Sequence, residues 1–203
     1  MSGVASPYVD VCRMNPQTGF CDGCFRTIDE IAAWSSLDDD AKRAVLSRVD
    51  SRRQGARVVM LGESFEATLA LSPDSVRHFA TLVNDGNPLH HDDAVARASR
   101  FGGLIASGTQ PTAHLMAMLA THFSQYAQPL GLEFGIRLTR AVMADDVLTM
   151  RWQVIEANWK ASLGGDLVKL EGGASNARGD NVMKATATIV VMPKETTPNE
   201  PRT

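Results

Sequence analysis

Two side chains that can exchange protons, Asp85 and His90, lie five residues apart in the segment NDGNPLHHDDA, which spans residues 84–94. The Asp-Gly-Asn-Pro run that begins at Asp85 is typical of a tight turn, so no long loop is needed to bring the two side chains together. A carboxylate beside an imidazole can act as an acid–base pair. The alternative is a polar surface loop in which Asp85 caps the preceding helix, and this segment alone does not decide between the two.

The three cysteines of the chain, Cys12, Cys21 and Cys24, all lie within the first 24 residues. An odd number of cysteines clustered at one end is a poor framework for disulfides. The Cys21-x-x-Cys24 spacing, with a third thiol nine residues earlier, is more typical of a set of metal ligands. An apo fold that has kept its cysteines without a metal is the alternative.

Composition and charge favour a folded protein and exclude several classes of function. Hydrophobic residues make up 44% of the 203 residues and the net charge is −3, so a core can form. No basic run is long enough to suggest binding to nucleic acid or to an anionic membrane. No apolar stretch approaches the roughly 18 residues of a membrane helix, and no secretory signal is visible. We therefore expect a cytoplasmic protein.

Residues 1–50 differ in pattern from the rest of the chain and are predicted to form a small helical domain. The stretch TIDEIAAWSSL places apolar residues up to Trp34 at helical spacing. A second short helix is predicted to start near Ser36, which would be its N-cap with three aspartates in the first turn. The residues 50–56 are interpreted as a polar linker.

Residues 58–193 are predicted to form one α+β domain, followed by a loose tail at residues 194–203. A first strand is followed by a helix with Ser72 as its N-cap, and then by the turn around Asp85. Next comes a helix, TQPTAHLMAMLATHFSQYA, that is apolar or small nearly all round and is expected to be buried on most of its surface. A curved antiparallel sheet wrapped around this helix would satisfy the pattern. The remaining strands are expected at about 131–140, 147–158, 165–178 and 182–192.

The segment FATLVNDGNPLHHDDAVARASRFGGLIASG resembles the active-site region of MaoC-like dehydratases, the (R)-specific enoyl-CoA hydratases of hotdog fold. The resemblance extends over about residues 60–193 and implies a curved antiparallel sheet wrapped around a central helix. The residues that match the family pattern are Asp85, Asn87-Pro88-Leu89-His90, Asp92, Phe101-Gly102-Gly103-Leu104-Ile105-Ala106 and Gly108.

This resemblance implies that Asp85 and His90 activate a water, which adds to C3 of a trans-2-enoyl thioester while C2 receives a proton. The backbone N–H of Gly108 would hydrogen-bond the thioester carbonyl and stabilise the enolate, because the start of a helix offers unpaired N–H groups. Asn87 and Ser107 would contact the substrate, although Asn-Pro is also ordinary turn chemistry. Many hydratases have a histidine where this chain has Ser107. The implied partner is an acyl-CoA or acyl-carrier thioester, and the implied reaction needs no cofactor.

The N-terminal segment resembles a small bacterial cysteine-cluster domain of unknown function. The match runs from Ser6-Pro7 through the three cysteines to Trp34, and Tyr8 stands where the family has its first cysteine. The resemblance implies a soft thiolate site for zinc or an iron–sulfur cluster at Cys12, Cys21 and Cys24, one ligand short of a closed site. We expect any such metal to be structural and the domain to be dispensable for chemistry.

Two other functions are kept as alternatives. A hotdog thioesterase usually carries its acid on the central helix, and residues 108–125 contain no Asp or Glu. A non-catalytic module that binds acyl-CoA would not require Asp85 and His90. For the assembly we expect a homodimer, because a single hotdog leaves a sheet edge unpaired, and pairing two sheets edge to edge removes that edge.

Overall fold

The computed structural model describes residues 3–16 and 18–194, so most of the predicted tail lies outside the described residues. The helices are α1 Ile28–Ala33, α2 Asp39–Gly55, α3 Pro73–Leu82, α4 Asp93–Ala98 and α5 Thr109–Phe123. The strands are β1 Ser64–Ala70, β2 Ala127–Leu138, β3 Val147–Lys160, β4 Gly165–Asn176 and β5 Asn181–Pro193. Short 3₁₀ helices occupy Trp34–Ser36, Pro88–His90 and Ala161–Leu163. Within the described part of the chain, no helix is long and apolar enough to cross a membrane.

The five strands form one antiparallel sheet in the order β1-β3-β4-β5-β2, which curves around α5. Strand β3 shows the expected alternation, with Leu148, Met150 and Trp152 buried on the face toward the helix. The Trp152 indole N–H donates a hydrogen bond of 2.8 Å to the Leu115 carbonyl, which ties the sheet to the middle of α5. The hotdog fold expected from the sequence is confirmed.

The central helix α5 is covered on one face only. Leu115, Leu119 and Phe123 are buried against the sheet, whereas small residues such as Ala113 and Ala117 are exposed on the opposite face. The prediction that this helix is buried on most of its surface is therefore wrong for the single chain. The sequence pattern indicates that a helix face is apolar, but it does not indicate whether the same chain or another molecule covers that face.

The N-terminal domain is helical as expected, but its second helix begins and ends later than predicted. The Asp38 side chain accepts a hydrogen bond of 2.8 Å from the Ala41 N–H, so Asp38 caps α2, and Ser36 belongs to the preceding 3₁₀ helix. Helix α2 continues to Gly55, through the segment interpreted as a linker. Arg52 holds its last turns in place by pairing with Glu30 at 2.6 Å.

Glu30 makes the packing of α1 against α2 dependent on pH. Burial raises the pKa of Glu30, but hydrogen bonds from Arg52, from the Thr27 N–H and from Arg48 outweigh it and lower the pKa from 4.5 to about 2. The folded protein therefore binds this proton less readily than the unfolded chain does. The stabilisation is fully present above about pH 4.5 and is lost as the pH falls toward 2.

We predict that Glu30→Gln reduces the loss of thermal stability between pH 6 and pH 3, because the variant has no carboxylate to protonate. Thermal unfolding of both proteins at the two pH values measures this difference. Asp29→Asn, at the exposed neighbouring position, is the control and is expected to behave as the parent. If the loss of thermal stability between pH 6 and pH 3 is the same in Glu30→Gln as in the parent, groups other than Glu30 cause it.

The N-terminal domain packs on the end of the sheet. The ring of Phe25 meets Trp159 edge to face at a centroid distance of 6.3 Å. In the connecting segment, the N–H groups of Val58 and Val59 donate to one buried carboxylate oxygen of Asp166, at 2.6 and 3.0 Å. A charged acceptor with two backbone donors anchors this segment on β4 and thereby fixes the domain on the sheet.

Candidate active site

The end of helix α3 fixes the position of Asp85. Asn84 adopts the left-handed conformation, with φ of 57°, which Asn tolerates better than most residues. The Asn84 N–H donates to the Thr81 carbonyl at 3.1 Å, and the Asp85 N–H donates to the Ala80 carbonyl at 2.8 Å. This is the Schellman arrangement of a helix C-terminus. The backbone of Asp85, and not its side chain, therefore completes the helix end, and the carboxylate stays free for other contacts.

His90 is held in a single orientation by the turn that follows. The Asn87 side chain accepts a hydrogen bond of 3.1 Å from the Leu89 N–H and so begins the short helix that carries His90. The imidazole is 6% exposed, and its Nδ1 lies 2.9 Å from the Ile105 carbonyl oxygen. Because a carbonyl can only accept, Nδ1 carries a hydrogen, and Nε2 has a lone pair whenever the ring is in its neutral form.

The structure brings the two predicted proton-exchanging groups together, with Nε2 of His90 3.3 Å from Oδ2 of Asp85. The other carboxylate oxygen accepts a hydrogen bond of 3.2 Å from the Asn87 N–H. The Ser107 side chain and then this N–H donate to the carboxylate and outweigh the effect of burial, so the pKa of Asp85 is lowered and the group remains ionised. A water beside these two atoms, which lie too close to admit one between them, can donate one hydrogen to each of them.

The segment before α5 connects the pair to the start of the central helix. The Ile105 carbonyl holds His90. Ser107 is buried and hydrogen-bonds Asp85. The Ser107 hydroxyl also lies 2.6 Å from Oγ1 of Thr109. Gly108 is the N-cap of α5 and has no side chain to cap the helix. Among the described residues, none accepts a hydrogen bond from the Gly108 N–H. A free donor thus lies at the positive end of a helix, next to a residue that contacts Asp85.

His91 has a role that the sequence did not reveal. It is half-buried, and its Nε2 lies 2.7 Å from the Asp85 carbonyl oxygen. Arg77 in turn donates to the His91 carbonyl at 3.1 Å and pairs with Asp93 at 2.6 Å. His91 therefore positions the backbone of Asp85, and α3 supports His91.

We predict that His91→Phe lowers kcat on the order of 10-fold and leaves KM almost unchanged, because Asp85 loses a backbone support but the substrate loses no contact. His91→Gln, which keeps a side-chain donor, is expected to recover most of the rate. The positive field of His91 also helps to lower the pKa of Asp85, so the acidic limb of the rate profile should move to higher pH in His91→Phe. A change confined to KM would assign His91 to substrate binding.

The structure shows local hydrogen bonds, but no substrate contact, for the other predicted residues of this region. The Asn87 side chain is used in its own turn, and its predicted contact with substrate remains a prediction, as does that of Ser107. Asp92 caps α4 by accepting hydrogen bonds from the N–H groups of Ala94 and Val95. It supports the loop and does not belong to the acid–base pair.

The cysteines are only partly brought together. Cys21 and Cys24 are buried, and Cys12 is exposed. Burial raises the pKa of the Cys21 thiol, but donors from Cys24 and Gly23 outweigh it and lower the pKa. Over residues 3–16 and 18–194, no group of three or more His, Cys, Asp or Glu is placed to hold a metal ion. The described residues alone do not supply a closed thiolate site, and a metal at Cys12, Cys21 and Cys24 remains a prediction.

Two known protein families match the chain, one over the N-terminal domain and one over the sheet and its central helix. Residues 59–168 match the family described as MaoC-like domain, and residues 6–53 match a family of unknown function, DUF1289. A relative from Thermobifida fusca (strain YX), named UPF0336 protein, is 27% identical over 143 residues, which cover 66% of this chain and 89% of the relative.

Several solved structures share the fold. The R-hydratase PhaJ1 from Pseudomonas aeruginosa is 25% identical with a TM-score of 0.59, and the match covers 71% of this chain and 92% of that one. A MaoC-like dehydratase from Rhodospirillum rubrum is 26% identical with a TM-score of 0.59, over 68% of this chain and 96% of that one. The (R)-hydratase from A. caviae involved in PHA biosynthesis has a TM-score of 0.60 over 68% of this chain and all of that one. At 19% identity, that match shows the fold alone.

Proposed function

Since the chain belongs to the MaoC-like domain family, we propose that it adds water to a 2-enoyl thioester, or removes water from the 3-hydroxyacyl thioester, by means of Asp85 and His90. The observation that carries this proposal is the approach of Nε2 of His90 to within 3.3 Å of Oδ2 of Asp85, together with the Ile105 carbonyl that fixes the histidine tautomer. Such a pair can hold a water and accept its proton. The solved relatives named as hydratases and dehydratases support the same reaction class.

In the hydration direction, Nε2 of His90 takes one proton from the water while the water oxygen bonds to C3 of the thioester. The electrons of the C2–C3 double bond move toward the thioester carbonyl, and the enolate oxygen accepts a hydrogen bond from the Gly108 N–H. The proton on His90 then passes to C2, which restores the catalyst. Asp85 stays ionised, orients the water and stabilises the imidazolium that forms in between.

A cavity beside the central helix offers room for the acyl chain. It has a volume of about 350 Å³ and lies between β1 and α5, where Phe65, Leu69, Met118 and Met150 contribute apolar lining. Methionine suits such a lining because its flexible side chain adapts to differently shaped chains. We propose that the acyl group of the thioester enters this cavity.

The reaction is tested by incubating the purified protein with crotonyl-CoA and following the absorbance of the enoyl thioester. Loss of absorbance without release of free thiol is the expected result for a hydratase. Release of thiol would indicate a thioesterase, which the absence of Asp and Glu from residues 108–125 disfavours. Binding without loss of absorbance and without release of thiol would indicate a non-catalytic acyl-CoA module. Such a module would not require the paired Asp85 and His90.

We further propose a homodimer formed along strand β2. This strand is an edge of the sheet and exposes Leu130 and Leu132, whose side chains are 56% and 52% exposed. An apolar sheet edge next to an uncovered face of small residues on α5 is suited to a second copy of the chain. Each copy would cover the unpaired edge of the other.

We predict that Leu130→Glu converts the protein from two chains to one, because a charge on this edge would lose its hydration in the dimer. Light scattering at micromolar concentration measures the mass. Leu163→Glu is the matched control, since Leu163 is also exposed but lies away from β2, and this variant is expected to remain dimeric. A monomeric parent protein would refute the proposed assembly.

The N-terminal domain supplies none of the residues used in the proposed reaction, and we propose that it is dispensable for chemistry. Its packing through Phe25 and the anchor at Asp166 support a role in stability. Any zinc or iron–sulfur cluster held by its cysteines would be structural in this account, because the Asp85–His90 mechanism uses no metal.

A further inference from the structure

A second cavity, of about 640 Å³, lies at the junction between the N-terminal domain and the sheet. Its walls come from the N-terminal segment, from α2 and the segment directly after it, and from the end of β3 with the 3₁₀ helix that follows. None of its lining residues belongs to the proposed active site. We propose that this junction cleft binds a small molecule that carries a diphosphate group. Its position makes it a site of its own, separate from the acyl thioester chemistry.

The charge of the junction cleft is predominantly positive. Arg53, Arg57 and Lys160 line it, and Asp50 is the one acidic residue in its lining. Asp50 pairs with Arg53 at 3.7 Å, through side chains that both remain solvent-accessible. Within the described part of the chain, Arg57 and Lys160 form no ion pair. Like charges held around one cavity repel each other unless an anion lies between them.

One residue of the cleft lining, Trp159, also carries a hydrogen-bond donor without a partner among the described residues. The indole nitrogen of Trp159 is buried, and no described residue accepts its hydrogen bond. The ring is held by the edge-to-face contact with Phe25, so it cannot simply turn toward solvent without loss of that packing. A buried donor of this kind destabilises the folded state unless a water or a ligand supplies an acceptor.

These groups together define the chemistry of the ligand. Two guanidinium groups and one ammonium group line the cleft, and all three are cationic donors, so a ligand with several negatively charged acceptors suits it. Guanidinium groups bind phosphate oxygens in pairs, and a lysine adds a point charge. Three cations around a cavity of this volume suit a diphosphate better than a single carboxylate. Inorganic pyrophosphate and the diphosphate of a nucleotide share this chemistry.

Binding is tested by calorimetric titration of the full-length protein with inorganic pyrophosphate and, separately, with ADP. Binding with a micromolar Kd is expected for at least one of them, and tighter binding of ADP would identify a nucleotide as the source of the diphosphate. The double variant Arg57→Gln/Lys160→Gln is expected to lose affinity at least about 10-fold, because two of the three cations are removed. Arg178→Gln, at an exposed arginine in the turn between β4 and β5, is the control and should bind as the parent does.

A second readout follows the indole N–H signals by NMR. The Trp159 signal, assigned by its loss in Trp159→Phe, is expected to shift on addition of pyrophosphate, while those of Trp34 and Trp152 stay in place. The rate of crotonyl-CoA hydration should be the same in the double variant as in the parent, which separates this site from the proposed active site. Absence of binding at millimolar pyrophosphate, or equal binding by the double variant, would overturn the proposal.

Discussion

Replacing Asp85 with Asn, or His90 with Ala, is expected to lower turnover on an enoyl thioester by about 100-fold or more while the protein stays folded. In Asp85→Asn, an amide nitrogen would present hydrogens where the water needs an acceptor, so the water would lose its orientation. In His90→Ala, no group remains to accept the proton from the water. Both losses affect the chemical step, so kcat should fall much more than KM rises.

The fold should survive these changes because the supporting contacts are largely independent of the lost atoms. The Schellman end of α3 is made by backbone groups, and an Asn at position 85 can still accept the hydrogen bond from the Asn87 N–H. Two exposed residues outside the pair serve as matched controls, His78→Ala on α3 and Asp145→Asn in the turn before β3. Both controls should keep parental activity. Near-parental turnover in either Asp85→Asn or His90→Ala would exclude the acid–base assignment.

Removing the backbone N–H of residue 108 is expected to lower kcat about 100- to 1000-fold, the usual cost of losing one oxyanion donor. Proline at this position removes the N–H, and the observed φ of −58° is one that proline adopts. The obstacle is steric, because a Cβ at this position would lie 2.4 Å from Cδ1 of Leu138. The experiment is therefore done in a Leu138→Ala background, which makes room for the added atoms.

The matched control is Gly108→Ala in the same Leu138→Ala background. This control adds a Cβ at the same place but keeps the N–H, so it separates the effect of bulk from the loss of the donor. We expect the alanine variant to remain within about 10-fold of the background protein and the proline variant to fall far below it. Equal rates in the two variants would show that the Gly108 N–H does not stabilise the enolate.

The parts of the site that depend on local sequence could be predicted. The contact between Asp85 and His90 was predicted from the turn-forming run that joins them together with the family pattern that the segment resembles, because such a turn leaves few paths for the backbone. Ser72 caps the start of α3 as predicted for the same reason, since a helix N-cap depends on its immediate neighbours.

The parts that depend on distant contacts could not be predicted in this way. Helix α2 extends to Gly55 because Arg52 pairs with Glu30, a residue of another helix, and the local polarity of the segment favoured a linker. His91 and Ser107 support Asp85 through the directions of their side chains, which residue type and spacing do not specify. The family pattern selected His90 from the adjacent pair of histidines, but nothing in residue type or spacing indicated that His91 would also turn inward.

The central claim is that a water held by Asp85 and His90 adds to C3 of an enoyl thioester. Its most direct test is to incubate the protein with crotonyl-CoA in ¹⁸O-water and to analyse the products by mass spectrometry. We expect an intact CoA thioester that carries one ¹⁸O in a hydroxyl group at C3, and we expect His90→Ala to form almost none of it. Label found in a released carboxylate, or label at C3 formed equally by His90→Ala, would exclude this mechanism.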